Sequence, residues 1–333
     1  MYNLSDIVAL DIELSSKCNA ECPLCPRNFH GYPENRGYIE HNMTLAEFQH
    51  IAKPEFLRQL KSIWINGNFG DMLMNPETVD IVRYIKQHST AQIAASTNGG
   101  ARDQQFWQDL AILGVIVHFC IDGLADTHSI YRKNTVYSVV ISNAQKFIAA
   151  GGHAVWKMTR FDHNAHQIEQ AKQLATELGF QSHHLIDHGR SNSPVFNREK
   201  KLVHVIGQVP HTDFEVLWDS RFNNNIQHKK QDTGPVSCKA QNKKELYISS
   251  IGDVYPCCFL GYNPETFERG MNTYYNKINQ ELAPMITNNN ALKNTLEQCI
   301  DWFNQIPPTW NTEPLLACND FCGSKSLYLK LPT

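Results

Sequence analysis

The sequence lacks a long hydrophobic run. The longest candidate, Leu110 to Ile121, covers 12 residues and contains His118, whereas a helix that crosses a bilayer needs about 20 mostly apolar residues. A membrane-spanning helix is therefore excluded. No basic residue precedes Lys17 and no small-residue cleavage site follows the N-terminus, so a secretory signal is not expected and the expected location is cytoplasmic. Charge of one sign is also missing: 30 Lys and Arg against 33 Asp and Glu leave a net −3, and neither nucleic acid nor a membrane surface is an expected partner. Internal repeats and low-complexity tracts are absent, which sets aside repeat architectures. Cysteine is too dilute for a disulfide scaffold, at ten in 333 residues. Its clustered spacings suit metal ligation in a reducing compartment instead.

What is present is length for about two domains and a regular alternation of patterns. Apolar β-branched runs at Ile7–Leu14, Ser62–Asn66, Gln92–Thr97, Val115–Ile121, His153–Arg160 and His183–Asp187 read as strands. Amphipathic stretches at Thr44–Leu60, Pro76–His88, Arg102–Leu113, Val136–Ala150 and His163–Leu178 read as the helices between them. Repeated βα units imply an α/β fold around a parallel sheet, and six are too few to close an eight-unit barrel. A partial (β/α)6 barrel over residues 1–190 is the expectation, with its active face at the C-terminal ends of the strands. Residues 191–237 lose periodicity and read as a connector or substrate-covering segment. Residues 238–333 form a second, small α+β unit. There Glu245–Ser250 and Val254–Cys258 flank Ile251-Gly252-Asp253 as a β-hairpin, and helices are expected at Thr273–Met285 and Ala291–Gln305.

The sharpest motif is Cys18-Asn-Ala-Glu-Cys22-Pro-Leu-Cys25, directly after the first strand. Three thiolates on one loop hold three irons of a 4Fe-4S cluster and leave the fourth iron open to a ligand. The competing reading is a zinc knuckle, which would need a fourth ligand such as His30.

A CxxxCxxC loop after the first strand of a partial barrel resembles the radical S-adenosylmethionine (SAM) superfamily. Trp64-Ile65-Asn66-Gly67-Asn68-Phe69-Gly70-Asp71 stands where that family has a glycine-rich segment bonding the amino group of SAM, with Asp71 in place of the usual Glu. Ser96-Thr97-Asn98-Gly99 ends the third strand as in many relatives. Phe119-Cys120-Ile121-Asp122-Gly123 with Arg132 is similar to the family's Ser-apolar-Asp-Gly followed by a later His and Arg. Leu24 takes the place of an aromatic that packs on adenine, or of a plain core leucine. The resemblance implies that Cys18, Cys22 and Cys25 hold the cluster and that Leu24, Gly67, Asn68, Phe69, Gly70, Asp71, Asn98, Cys120, Asp122 and Arg132 surround SAM. It further implies reductive cleavage of SAM to a 5′-deoxyadenosyl radical that abstracts hydrogen from a substrate C–H bond. A flavodoxin- or ferredoxin-type protein would supply the electron.

Cys238, Gly252-Asp-Val-Tyr-Pro-Cys257, Cys318 and Cys322 resemble the twitch domain, the shortened SPASM domain that holds one auxiliary 4Fe-4S cluster. The resemblance implies these four cysteines as its ligands. A structural zinc site on the same thiolates is the alternative. Cys258 and Cys299 read as small buried hydrophobes.

Other candidates are weaker. Cys120 has a further possible role as a hydrogen-atom donor, as thiols have in radical epimerases. Lys157, Arg160, Asp187 and His188 lie near strand ends, where substrate contacts sit. Arg27 follows the cysteine loop and would meet an anion or solvent, and His163 with His166 reads as a solvated first helical turn. The expected activity is radical SAM oxidation of a small metabolite through the auxiliary cluster, because the chain starts almost at the first strand. A peptide or protein substrate, modified by a maturase or an epimerase, is the alternative. A non-catalytic iron–sulfur electron carrier is the rival from another class.

Overall fold

The structure is a computed structural model that describes residues 2–33, 38–187, 193–207, 234–261 and 280–324. His188, most of 191–237 and the start of the helix expected at Thr273–Met285 lie outside the described residues.

In chain order the strands are β1 (Ala9–Ile12), β2 (Asn28–Phe29), β3 (Tyr32–Pro33), β4 (Ser62–Ile65), β5 (Gln92–Thr97), β6 (Ile116–Cys120), β7 (His153–Arg160), β8 (Ser182–Asp187), β9 (Ser193–Phe196), β10 (Leu202–Ile206), β11 (Glu245–Ile248) and β12 (Val254–Tyr255). The α-helices are α1 (Leu45–Ile51), α2 (Pro54–Gln59), α3 (Thr78–His88), α4 (Gln104–Ile112), α5 (His128–Tyr131), α6 (Tyr137–Ala149), α7 (Ile168–Glu177), α8 (Lys239–Lys243), α9 (Leu296–Ile300) and α10 (Leu316–Cys322). The expected strands and most of the expected helices are present, with ends shifted by a few residues.

The chain forms two compact units, interleaved along the sequence. Unit 1 holds residues 1–16, 37–93 and 228–333, and unit 2 holds 17–36 and 94–227. This grouping cuts across the linear segments 1–190, 191–237 and 238–333, because β11 runs parallel to β1 with Ala9 beside Glu245 and Ile12 beside Ile248.

Unit 1 orders its strands β12-β11-β1-β4, parallel except for β12. β11 and β12 form the expected hairpin, pairing Tyr247 with Tyr255. Gly252 makes its turn at φ +85°, and a Cβ there would sit 2.9 Å from Leu292 Cγ. One face of these strands carries Leu10, Ile12, Ile63, Ile65, Leu246 and Ile248, all buried. The helix expected at Thr44–Leu60 is two helices. Thr44 and Glu47 form a reciprocal capping box for α1. Pro54, which has no N–H to continue a helix and holds Lys53 extended, opens α2. The helix expected at Ala291–Gln305 starts later, at Leu296, where Thr295 and Gln298 cap it.

Unit 2 orders its strands β5-β6-β7-β8, all parallel, and β5 crosses into this unit at Ala94. One sheet face is covered by α4 and α6. There Phe119 packs against Trp107, Phe147 and Phe180 with ring centroids 5.2, 5.9 and 6.1 Å away. The stretch read as a connector contains the antiparallel pair β9–β10, whose register shifts between Leu202 and His204. That irregularity breaks the alternation that would mark a hairpin in sequence.

Asn75 bridges two segments of unit 1, its Nδ2 donating to Leu14 O at 2.7 Å and Met43 O at 2.8 Å while buried. Asn75→Ala leaves both carbonyls without that donor. The expected loss is about 2–4 kcal/mol, read as a lower urea midpoint at unchanged m-value.

Candidate functional site

The three-cysteine loop belongs to unit 2. Its backbone is tied by its own turn: the Cys25 N–H donates to Cys22 O at 3.1 Å and the Asn28 N–H to Cys25 O at 3.0 Å. Asn28 Nδ2 donates to Cys22 O at 3.2 Å, and Arg27 Nη2 to Cys18 O at 3.0 Å. Arg27 is thus buried and spent on the loop backbone, not on solvent. None of the three is in a disulfide. Beneath them lies an apolar cluster of Ala20, Tyr131, Phe161, Val195 and Ile206, against which Cys18, Leu24 and Cys25 pack.

N–H donors converge on two of the sulfurs. The Ala20 N–H lies 3.4 Å and Asn98 Nδ2 3.6 Å from Cys18 Sγ, and Asn98 also donates to Asn19 Oδ1 at 2.9 Å. Arg132 Nη1 lies 3.8 Å from Cys22 Sγ. Its Nε donates to Asp122 Oδ2 at 2.6 Å, and Asp122 Oδ1 accepts the Thr159 N–H at 2.5 Å. Burial pushes the Cys22 thiol up to about 12, and the Arg132 guanidinium pulls against that rise. Cys120 Sγ is 3.4 Å from Ser96 Oγ, on the sheet face opposite the aromatic core. The donor chemistry fits a 4Fe-4S cluster: three thiols on one loop, none in a disulfide, with N–H groups placed to compensate negative charge on sulfur. His163 is buried with its ring stacked on Phe161 at 5.3 Å, so it is not a solvated first turn.

The glycine-rich segment 67–71 belongs to unit 1. A residue that sequence reasoning passed over, Glu13, shapes it. Glu13 Oε1 accepts the N–H groups of Phe69 at 2.8 Å and Gly70 at 2.9 Å, and Tyr247 Oη donates to Oε2 at 3.3 Å. The available signal was an acid inside the apolar run of the first strand. Gly67 has no room for a side chain, since a Cβ would lie 2.4 Å from Gly70 O. Asn68 Nδ2 donates to Cys258 O at 2.7 Å, and Phe69 stacks on Tyr38. The Asp71 carboxylate caps the 3-10 turn Met72–Met74 by accepting the Leu73 N–H at 3.0 Å.

The second cysteine set also lies in unit 1. Cys238, Cys257, Cys318 and Cys322 line one pocket, together with Tyr2 and the stacked Phe259–Phe321 pair, whose centroids are 3.9 Å apart. Three local structures deliver them: Cys238 caps α8 by accepting the Gln241 N–H, Cys257 follows β12, and Cys318 and Cys322 are one turn apart on α10. The Cys322 thiol donates to Cys238 and holds the Cys238 thiol below its ordinary range. Cys258 stands apart, its thiol against the Asp11 carboxyl. Cys299 is buried in α9. Among the described residues no three His, Cys, Asp or Glu side chains are gathered as a single metal ion needs. Four thiols, none in a disulfide, around one largely apolar pocket are a donor set suited to a second 4Fe-4S cluster.

No family model matches the sequence. A probable GTP 3′,8-cyclase from Methanocaldococcus jannaschii is 32% identical over 94 residues, which are 28% of this chain and 29% of that protein. The matched segment is therefore less than a third of the relative. Among solved structures, Streptococcus suis SuiB bound to S-adenosylmethionine aligns over 93% of this chain and 67% of its own, at TM-score 0.54 and 15% identity. Native anSMEcpe with bound AdoMet aligns over 96% of this chain and 91% of its own, at TM-score 0.57 and 16% identity. Both proteins have also been solved with peptides, SuiB with precursor peptide SuiA and anSMEcpe with AdoMet and the Cp18Cys peptide. The chain shares the mostly parallel α/β fold of these structures.

Burial pushes the Glu13 carboxyl up to about 7, although bonds from Phe69, Gly70, Tyr247 and Ser250 pull it down. The folded state holds this proton more tightly than the unfolded chain, where the group titrates near 4.5. The stabilising contribution is complete below about pH 4.5 and is lost as pH rises to about 7, by about 3 kcal/mol. Relative to wild type, Glu13→Gln should gain that amount between those two pH values in urea unfolding, with Asp11 common to both proteins. A difference independent of pH would show that Glu13 stays ionised.

Proposed function

We propose that the chain is a radical SAM enzyme in which Cys18, Cys22 and Cys25 hold a 4Fe-4S cluster. The observation that carries the reading is the three-thiol loop after β1, with Asn98 and Arg132 N–H groups directed at its sulfurs. The cyclase relative and the two AdoMet-bound structures support it. When bound, the cluster and SAM together supply a carbon radical able to remove hydrogen from a C–H bond.

The chain's own residues do the rest. Asn98 and Arg132 place N–H donors at Cys18 and Cys22, which stabilises added negative charge on the sulfurs and tunes the reduction potential. Asp122 holds Arg132 in that orientation. Glu13 fixes the backbone of residues 67–71, whose proposed role is to contact SAM. The apolar cluster under the loop excludes water from one side. Cys238, Cys257, Cys318 and Cys322 would hold the auxiliary cluster of a twitch-like region, which supplies an electron acceptor and favours an oxidative outcome. A flavodoxin- or ferredoxin-type protein is the proposed reductant.

As substrate we propose a small metabolite, a reading supported by the cyclase relative, whose name carries a nucleotide. The second reading, a peptide or protein residue, is supported by the SuiA and Cp18Cys complexes of the structural neighbours.

Anaerobic reconstitution followed by dithionite-driven turnover tests the proposal. The expected iron content is about eight per wild-type chain and about four in the Cys18/Cys22/Cys25→Ala variant. 5′-Deoxyadenosine should form only with wild type. Four irons with one zinc would remove the auxiliary acceptor and leave the enzyme. Absence of SAM cleavage with both clusters loaded would replace the reading with an electron-transfer protein.

A further inference from the structure

The pocket in unit 1 that gathers Cys238, Cys257, Cys318 and Cys322 is lined by hydrocarbon, with two side-chain exceptions beside the thiols. Tyr2 brings a hydroxyl and Trp310 an indole N–H. Tyr2 is buried, and its Oη lies 4.0 Å from Cys238 Sγ. Trp310 Nε1 is buried as well, and among the described residues it has no hydrogen-bond partner. A buried donor without an acceptor has lost its bonds to water without replacement, and native structures leave few such groups. An indole nitrogen only donates, so the missing partner is an acceptor. The side-chain acceptors in this lining are the cysteine sulfurs and the Tyr2 oxygen.

One short segment mounts both donors. The Tyr2 N–H donates to Asn304 Oδ1 at 2.7 Å, and the Tyr2 ring meets Phe303 edge-on at 5.3 Å. Phe303 and Asn304 lie in the 3-10 turn Asp301–Gln305, and Trp310 lies in the next one, Pro307–Asn311. The Ile306 N–H donates to Phe303 O at 3.1 Å and the Thr309 N–H to Ile306 O at 2.9 Å, which joins the two turns without a loop. At the receiving end, Cys238 Sγ accepts the Gln241 N–H at 3.4 Å and a bond from the Cys322 thiol. A thiol that ligates iron gives up its proton, so Cys322 can no longer donate once it is a ligand. The Tyr2 hydroxyl and the Gln241 N–H are then what remains at Cys238.

We propose that the Tyr2 hydroxyl and the Trp310 indole N–H are hydrogen-bond donors to the second metal centre, Tyr2 to the Cys238 sulfur and Trp310 to a further sulfur of the cluster, and that they raise its reduction potential. Bonds to sulfur stabilise the added negative charge of the reduced state, which hydrocarbon walls alone disfavour. The two donors thereby fit the centre to accept an electron. This role rests on the reading of the pocket as an auxiliary 4Fe-4S site, and the iron content separates the failure of one from the failure of the other.

A redox titration of the full chain as its Cys18/Cys22/Cys25→Ala variant, reconstituted anaerobically and followed by electron paramagnetic resonance, tests the role on the second cluster alone. With about four irons loaded, Tyr2→Phe and Trp310→Phe should each lower the equilibrium constant for reduction at least threefold. Together they should lower it at least tenfold, which is about 59 mV for one electron. Tyr2→Phe keeps the ring against Phe303, so its effect belongs to the hydroxyl. Resonance Raman spectra supply a readout that a packing role does not move. The iron–sulfur stretching bands should shift on exchange into D2O, and each substitution should remove part of that shift. Absence of iron from the second site overturns the auxiliary-cluster reading and this role with it. About four irons with bands indifferent to D2O, or with less than a threefold change in either variant, overturn the role and leave the reading standing.

Discussion

The site in unit 2 depends on one buried ion pair. Asp122 is fully buried, and a carboxylate in that position is tolerable only when its charge and lone pairs are met. Arg132 meets one oxygen and the Thr159 N–H the other. The end of β6 is thereby joined to β7 and to the residue that follows α5. The same pair decides where the guanidinium points, since Nε is engaged by Asp122 and Nη1 is left beside Cys22. Remove the carboxylate, and both the strand junction and the donor at the sulfur lose their reason to stay.

The two cysteine sets are built differently, and the difference is physical. The first is local: three thiols lie within eight residues of one loop, and Asn98 after β5 and Arg132 after α5 reach toward two of them. The second is assembled from residues 238, 257, 318 and 322 in a pocket whose walls are mainly aromatic and aliphatic, with Tyr2 Oη 4.0 Å from Cys238 Sγ. Under the proposed reading the N–H donors at Cys18 and Cys22 raise the reduction potential of the first cluster, and the apolar surroundings lower that of the second.

Much of this was legible in the sequence, for identifiable reasons. The six strands expected between residues 7 and 187 are short apolar runs bounded by helical patterns, and the cysteine loop is a contiguous motif. The hairpin around Gly252 is short-range turn chemistry. Glu13 was not legible as the partner of Phe69, Gly70 and Tyr247 because those contacts join positions 56 to 234 residues apart. Asp71 looked like a variant of a family residue and its carboxylate is used as a turn cap, a local competition that Asp enters readily. The break at Pro54 was readable from the proline itself, which cannot continue a helix. β9 and β10 escaped because their register shifts midway. Cys257 and Cys258 both lie beyond β12, where the expected strand Val254–Cys258 has already ended.

The pairing of β1 with β11 has a consequence for synthesis. Ala9 leaves the ribosome about 236 residues before Glu245, its parallel neighbour. At translation rates of about 5–20 residues per second, that edge of β1 waits roughly 10–50 s for its partner. An unpaired parallel edge with apolar Leu10 and Ile12 beside it is a template for the wrong strand. Such long-range closure makes unit 1 the slow step of folding. The nascent chain is therefore exposed to aggregation for most of its own translation, and chaperone supply, more than the stability of the finished sheet, would limit the yield of folded protein.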